Sequence, residues 1–324
     1  MISRRHFLGA SAGAAAAYTA GSFLPVWAQA SPDLGTPTFA QPGHRRVRVG
    51  DAEVIALLDG IARRPLVDGF VKNAPLADVQ AALAAQGLPT QYIDVPFTPF
   101  LIVLGGKRIL MDTGLGEFGG PTAGRLIEQL RGAGVAPGDI DVVLVSHFHG
   151  DHINGLRNKA GDLMFPKAKV MVPEAEFAFW MDDGRMNAAP EGMKGAFQGV
   201  RRVFAGMGSE RLSQFQTGTE VLPGIRALAA YGHTPGHTVF EVNGGSHQRF
   251  NFVADITNVP ALFARRPDWA VMFDMDAEAA QRARRATFDR IIDAKAMLGG
   301  YHFPFPAIGT MRREGSGYAF SASA

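Results

Sequence analysis

His147, His149, Asp151 and His152 place four side chains able to bind a metal within six positions, in the run Ser146-His147-Phe148-His149-Gly150-Asp151-His152. Neutral imidazoles and a carboxylate are the donor set of zinc and similar borderline ions, and a chain without cysteine offers no thiolate instead. The chemistry within reach is that of an N/O metal centre, of a nuclearity this run alone leaves open.

Such donors need an element that holds them still. Asp141 to Val145 is a short, almost wholly apolar, β-branched run, the pattern of a buried strand. The donors therefore begin where a core strand ends, and Gly150 and Asp151 suit a turn that opens a helix. Open α/β architectures put their chemistry at the carboxyl ends of strands.

Six of the nine histidines fall in three such segments. Tyr231-Gly232-His233-Thr234-Pro235-Gly236-His237 lies between two strand-like runs, and His302 sits in Gly299-Gly300-Tyr301-His302-Phe303-Pro304. Asp255 ends the apolar run Phe252-Val253-Ala254 in the same manner.

Further strands are expected at Arg46 to Leu58, Pro99 to Gly105, Arg108 to Asp112, Ala168 to Val172, Ile225 to Tyr231, Thr238 to Asn243 and Arg249 to Asp255. Asn243-Gly244-Gly245 should turn the last two into a hairpin. Thr122 to Gly132 carries an apolar face of Leu126, Ile127 and Leu130. A longer helix should start at the N-cap Asp276, bury Ala280, Ala283, Thr287, Ile291 and Leu298, and stop at Gly299. The cluster Arg282, Arg284 and Arg285 reads as its solvated face. Paired strands followed by helices, twice over, suggest two mixed sheets packed face to face with helices outside.

The first 30 residues stand apart from the fold. Ser3-Arg4-Arg5-His6-Phe7-Leu8, an Ala/Gly-rich apolar stretch and Ala28-Gln29-Ala30 form a twin-arginine export signal with its cleavage site, so the expected location is the periplasm with no stable membrane insertion after cleavage. Residues 31–46 read as a Pro/Gly-rich arm and a candidate homodimer contact; residues 47–324 form one domain. Setting the leader aside leaves 294 residues with 30 basic against 30 acidic side chains. A neutral chain without a basic patch argues against a nucleic-acid partner. Without cysteine no disulfide can staple an exported protein, so stability must come from its core.

These segments resemble the metallo-β-lactamase superfamily over nearly the whole mature chain. His147-x-His149-x-Asp151-His152 is similar to its hallmark, with Asp112 in Met111-Asp112-Thr113-Gly114 upstream and His233, Asp255 and His302 following in order. Within the superfamily the similarity is to methyl parathion hydrolases and related exported lactonase-like enzymes. Phe118-Gly119-Gly120-Pro121-Thr122, Gly232 to Thr238, and His302-Phe303-Pro304-Phe305-Pro306 with Ile308-Gly309 carry it.

The resemblance implies an α/β fold, the αββα four-layer sandwich, holding two divalent metals. One would take His147, His149 and His233, the other Asp151, His152 and His302, with Asp255 between them. Seven donors are too many for one tetrahedral zinc. Zinc is the first expectation for both ions, with Mn, Fe or Co as alternatives. Asp151 and Asp255 would be the catalytic carboxylates, whereas Asp112 and His237 would orient the donors from behind. The implied pocket, Phe118, Trp180 and Phe197, would suit a small apolar or aromatic substrate.

Two such cations hold a water as hydroxide and polarise a carbonyl or phosphoryl oxygen, which implies hydrolysis of an aryl lactone, an ester or an organophosphate triester. A cysteine-free metallo-β-lactamase, an acyl-homoserine lactonase or a metal-binding protein without turnover are the other readings. The absent cysteine removes thiolate-dependent β-lactamases, and His149 removes diiron flavoproteins, which carry glutamate there.

Overall fold

The computed structural model describes residues 33–323; the twin-arginine segment and its cleavage site lie outside them. Sixteen strands are formed by the described residues. In order they are β1 (His44–Val49), β2 (Ala52–Leu57), β3 (Gly60–Pro65), β4 (Tyr92–Phe97), β5 (Phe100–Leu104), β6 (Lys107–Met111), β7 (Val142–Leu144) and β8 (Lys169–Pro173). The second half holds β9 (Leu212–Phe215), β10 (Glu220–Leu222), β11 (Ile225–Ala229), β12 (Thr238–Asn243), β13 (Arg249–Ala254), β14 (Met297–Gly300), β15 (Ile308–Glu314) and β16 (Gly317–Ala322). The helices are α1 (Leu76–Ala84), α2 (Leu126–Gly132), α3 (Gly150–Ile153), α4 (Glu174–Trp180), α5 (Asp183–Ala188), α6 (Glu191–Phe204) and α7 (Ala277–Asp293).

One seven-stranded sheet runs β1-β2-β5-β6-β7-β8-β9 and a second runs β10-β11-β12-β13-β14-β15-β16, while β3 and β4 form a separate hairpin. Alternation along the strands explains why both faces of the first sheet are dry. Val54, Ala56, Val142 and Leu144 join the inner core with Phe240, Phe250 and Phe252 of the second sheet. Their neighbours Ile55, Leu57, Val143 and Val145 face the other way, onto Leu126 and Leu130 of α2 and Val200, Val203 and Phe204 of α6. Over the second sheet lies α7, whose Arg290 reaches Glu241 of β12 and Asn251 of β13 at 3.0 and 3.1 Å. The layers are helix, sheet, sheet, helix, the metallo-β-lactamase fold expected from the sequence.

Several local readings hold. The Asn243-Gly244-Gly245 turn joins β12 to β13 with Asn243 opposite Arg249, and Asp276 caps α7 by accepting from the Ala279 amide at 3.0 Å. Others need correction. The run Arg46 to Leu58 is not one strand but two, β1 and β2, folded back at Gly50, whose φ of 60° suits glycine. Leu298 is not on the α7 stripe; α7 ends at Asp293, and Met297–Gly300 is a strand paired in parallel with β13. Arg284 is not solvated but 1% exposed, and donates to the carbonyls of Ile256, Pro267 and Trp269. No helix among the described residues is long and apolar enough to cross a membrane.

Candidate metal centre

The candidate donors lie beyond strand ends, in the short helix α3 that follows β7, or in the loop between two strands. The end of β6 delivers Asp112; β7 leads into His147, His149, Asp151 and His152; the loop from β11 to β12 brings His233 and His237; Asp255 follows β13 and His302 follows β14. Two of these strand ends adopt left-handed backbone, Asp112 at φ 60° and Ala254 at φ 45°. A side-chain residue held there costs about 1–3 kcal/mol, a cost that persists only where surrounding structure imposes it.

The donors gather into two adjoining groups: His147, His149, His233 and Asp255, and Asp151, His152 and His302. In the first, His149 Nδ1 lies 3.1 Å from His147 Nε2 and 3.0 Å from His233 Nε2. Ligands about 2.0–2.1 Å from one tetrahedral ion stand roughly 3.3 Å apart, so the spacing matches a shared ion. Asp255 lies between the groups, with Oδ2 3.2 Å from His233 Nε2 and 3.0 Å from His302 Nε2, and Oδ1 3.1 Å from His152 Nε2. Asp151 Oδ2 is 3.4 Å from both His152 and His302.

The outer ring nitrogens show which way the lone pairs point. His302 Nδ1 donates to the Pro96 carbonyl at 2.7 Å, His233 Nδ1 to Asp274 at 2.9 Å and His152 Nδ1 to Asp112 at 2.7 Å. Ser146 Oγ gives its only proton to Asp112 at 2.7 Å and so accepts from His147 Nδ1 at 3.0 Å. Each of these four rings thus spends its proton outward and turns Nε2 inward. His152 Nε2 and Asp255 Oδ1 are fully buried and make no hydrogen bond although 3.1 Å apart. Two buried polar atoms left without a hydrogen bond at that separation suit ligands of a shared cation. The residues therefore fit two metal ions.

Electrostatics agree with that fit for His147, His149, Asp151 and Asp255. Burial and the neighbouring His233 push His149 down to about 3, and burial with His152 drives His147 well below its ordinary value, so both are neutral lone-pair donors. Burial opposes charge on Asp151 and Asp255, yet adjacent imidazoles prevail and hold Asp151 at about 2 and Asp255 well below the carboxylate range. For His233 and His152 burial again opposes charge, but the surrounding carboxylates outweigh it, raising His233 to about 9 and His152 well above its ordinary value, so each holds a second proton that a bound cation would have to displace.

His237 stands behind this set. Its Nδ1 donates to the Ala230 carbonyl at 3.0 Å while Nε2 accepts from the Asp255 amide at 3.1 Å, leaving no lone pair for an ion. Asp112 serves both groups, touching His152 directly and His147 through Ser146. Changing Asp112 to alanine is expected to weaken metal retention by roughly 10–100-fold, measured by competition with a chromophoric chelator. Retention within twofold of wild type would deny Asp112 this role.

Three carboxylates that sequence reasoning did not single out complete the support. Asp274 holds His233 and is itself faced by the buried Arg284 at 3.5 Å. Glu176, fully buried in α4, accepts from the Phe148 amide (2.9 Å), Trp180 Nε1 (2.9 Å) and the Gly236 amide (2.7 Å). It ties the His147–His149 loop to the loop that follows His233. In sequence it looks like an ordinary acid in the first turn of a helix, which the helix dipole alone would explain.

The third, Asp59, accepts from the amides of Leu115, Gly124 and Leu126 at 3.0, 3.2 and 2.8 Å, pinning the segment that leaves Asp112. Burial raises its pKa from 3.8 to about 6, more than those three amides lower it. The folded state therefore holds this proton more tightly than the unfolded chain. The associated stability is complete below 3.8 and is lost as pH rises through about 6. Relative to Asp59→Asn, the wild type should lose about 3 kcal/mol between pH 4 and pH 7 in urea unfolding; a difference independent of pH would contradict this.

The expected aromatic pocket needs correction. Trp180 and Phe197 are each 1% exposed and pack on one another, ring centroids 4.7 Å apart, in the core between the first sheet and its helices. Trp180 faces inward because its indole proton is committed to Glu176. Phe118 carries the guanidinium of Arg202 on its face at 4.2 Å. None of the three lines the cavity over the donors. That cavity, about 350 Å³, is walled instead by Val95, Phe97, Leu115, Phe273 and Arg64 beside His149, Asp151, His233, Asp255 and His302.

Comparison with known proteins points the same way. The family model of the metallo-β-lactamase superfamily matches residues 98–289. Among solved structures the chain is similar to AidC, described as a dizinc quorum-quenching lactonase in complex with a homoserine product, at 26% identity and TM-score 0.79, covering 87% of this chain and 98% of that one. It is similar to the hydrolase AbOPH of the β-lactamase superfamily at 25% identity and TM-score 0.81, with the same coverages. A probable metal-dependent hydrolase from Staphylococcus aureus shares the fold at 23% identity and TM-score 0.66, covering 79% of this chain and 91% of that one. No curated protein matches the chain significantly.

Proposed function

Because this chain belongs to the metallo-β-lactamase superfamily, we propose that it is a two-metal hydrolase that opens lactones and cleaves related activated esters, with aryl esters and organophosphate triesters within its range. One observation carries the reading: seven imidazole and carboxylate side chains form two adjoining groups on one cavity, with Asp255 between them. His147, His149 and His233 would hold one ion, Asp151, His152 and His302 the other, and Asp255 both. Bound there, divalent ions supply a nucleophilic water near neutral pH and a Lewis acid for the carbonyl or phosphoryl oxygen.

The chain's own groups do the rest. Asp112, Asp274 and the Pro96 carbonyl accept the outer imidazole protons and so aim the inner nitrogens of His152, His233 and His302 into the site. Asp255, a carboxylate at neutral pH, would help hold both ions and offset their charge, and a leaving group such as nitrophenolate would need no proton from the protein. Asp151 sits on the cavity wall as the second carboxylate, its backbone carbonyl held by the Tyr301 hydroxyl at 2.5 Å. Val95, Phe97, Leu115 and Phe273 favour a small apolar substrate and exclude water. The lactonase description of AidC favours carbon over phosphorus as the electrophile, and its dizinc centre favours zinc. The twin-arginine pattern supports export to the periplasm with metal already loaded.

The test is a panel of an aryl lactone, an acyl-homoserine lactone, methyl parathion and a cephalosporin, compared by kcat/KM with metal content measured on the same sample. About two ions per chain, a lactone as best substrate, and loss of turnover on chelation with recovery on adding zinc are expected. Activity that survives chelation, or a cephalosporin ahead of every ester, would overturn the proposal.

A further inference from the structure

A second cavity, about 360 Å³, lies against the first and shares Asn258 and His302 with it. Ile61, Leu83, Ile93, Pro260, Ala261 and Phe305 are among the residues that make its wall almost wholly apolar. The carboxylate on that wall, Asp94, is already neutralised by two bonds of 2.7 Å from the Arg63 guanidinium. The chamber thus offers no free charge, and two of its polar groups, Asn258 and His302, lie where it abuts the metal donors. Asn258 Nδ2 donates to Asp255 Oδ2 at 3.1 Å, and His302 Nε2 approaches the same oxygen. Strand β4 serves both cavities, with Ile93 and Pro96 on the chamber and Val95 and Phe97 on the metal side.

A ligand that suits such a shape has one polar group at the clusters and a flexible apolar arm. Resting on the reading of this site as an ester hydrolase, we infer that the chamber receives the alkyl or acyl chain of the substrate, which passes Asn258 and His302 while the ester stays at the metal donors. Its volume is at the lower end of the range that encloses a small organic ligand, enough for an unbranched chain but too little for a second folded segment. The arm of residues before β1 contributes Thr38 and Ala40 to the wall, so chain-length preference would depend in part on a segment outside the sandwich.

The experiment uses the zinc-loaded full chain and the series from γ-butyrolactone to γ-dodecalactone. For the wild type, kcat/KM should rise with side-chain length, by up to roughly fourfold for each methylene buried, until the chamber is full. Ala261→Trp, which fills the chamber, should abolish the rise while leaving γ-butyrolactone within about twofold. Leu88 is 40% exposed on the chamber wall, so Leu88→Arg can be made without disturbing the core and should flatten the series as well. A wild type indifferent to length, or variants with the wild-type slope, would overturn the inference.

Failure of the hydrolase reading gives a different result, no turnover of any lactone. The chamber is then judged by calorimetric binding of n-decanoate. Binding weakened at least tenfold by Ala261→Trp supports it, and equal or absent binding in the two proteins refutes it.

Discussion

Replacing Asp255 by alanine is expected to lower kcat/KM on the best ester roughly a thousandfold and to reduce bound metal below two ions per chain. Its oxygens lie within 3.2 Å of His152, His233 and His302, so one side chain contacts donors from both groups. Under the two-metal proposal, losing it would remove a ligand from each ion, and it leaves three buried imidazoles without their common anion. Several kcal/mol of transition-state charge stabilisation in a two-metal site correspond to that loss in rate. Steady-state kinetics beside elemental analysis check the result. A variant keeping two ions and activity within tenfold of wild type would show that Asp255 is not the shared ligand.

Glu176 is the second large effect, on stability rather than chemistry. Glu176→Ala strands the Phe148 and Gly236 amides and the Trp180 indole proton, all in surroundings closed to water. Stranded buried donors cost about 1–3 kcal/mol each, and removing a carboxylate whose burial is itself unfavourable returns part of that, so a net loss of about 3–5 kcal/mol is expected, a large part of the margin of an ordinary domain. Glu176→Gln keeps the shape and one oxygen acceptor and should cost less than half as much. Because Glu176 joins the two loops of the first donor group, the alanine variant should also lose an ion proposed to bind His147, His149 and His233 before one at the second group. Urea unfolding of the metal-free protein separates the effects; a cost under about 1 kcal/mol would refute the argument.

The histidine-rich run was legible because metal chemistry restricts side-chain type and local spacing more severely than packing does. Asp255 was legible for a related reason, since it ends an apolar strand and strand ends in a layered α/β fold converge on one edge; His302 was legible from its Gly/Pro-rich segment and its place in the family order, because its strand β14 read as the end of a helix. The layers followed from alternation, since Val142 to Val145 can be dry on both faces only between helices and a second sheet. What misled was aromatic character. Phe118, Trp180 and Phe197 have the composition of a substrate wall, but the same composition builds a core, and a linear pattern does not say which side of a sheet a helix covers.

By itself, then, the sequence determined the family, the layered architecture, the candidate donors and the absence of thiolate chemistry, because these depend on residue type and short-range periodicity. Only the tertiary structure decided that Asp274, Glu176 and Asp59 support the centre, that Arg284 is buried, and that Phe97 and Phe273 rather than Trp180 and Phe197 wall the cavity. Those facts rest on contacts between segments far apart in the chain. Glu176 meets Gly236 sixty positions away and His302 meets Pro96 across 206. Such pairings are set by how the sheets stack and where their loops cross, a property of the assembled layers that no local window of residues contains.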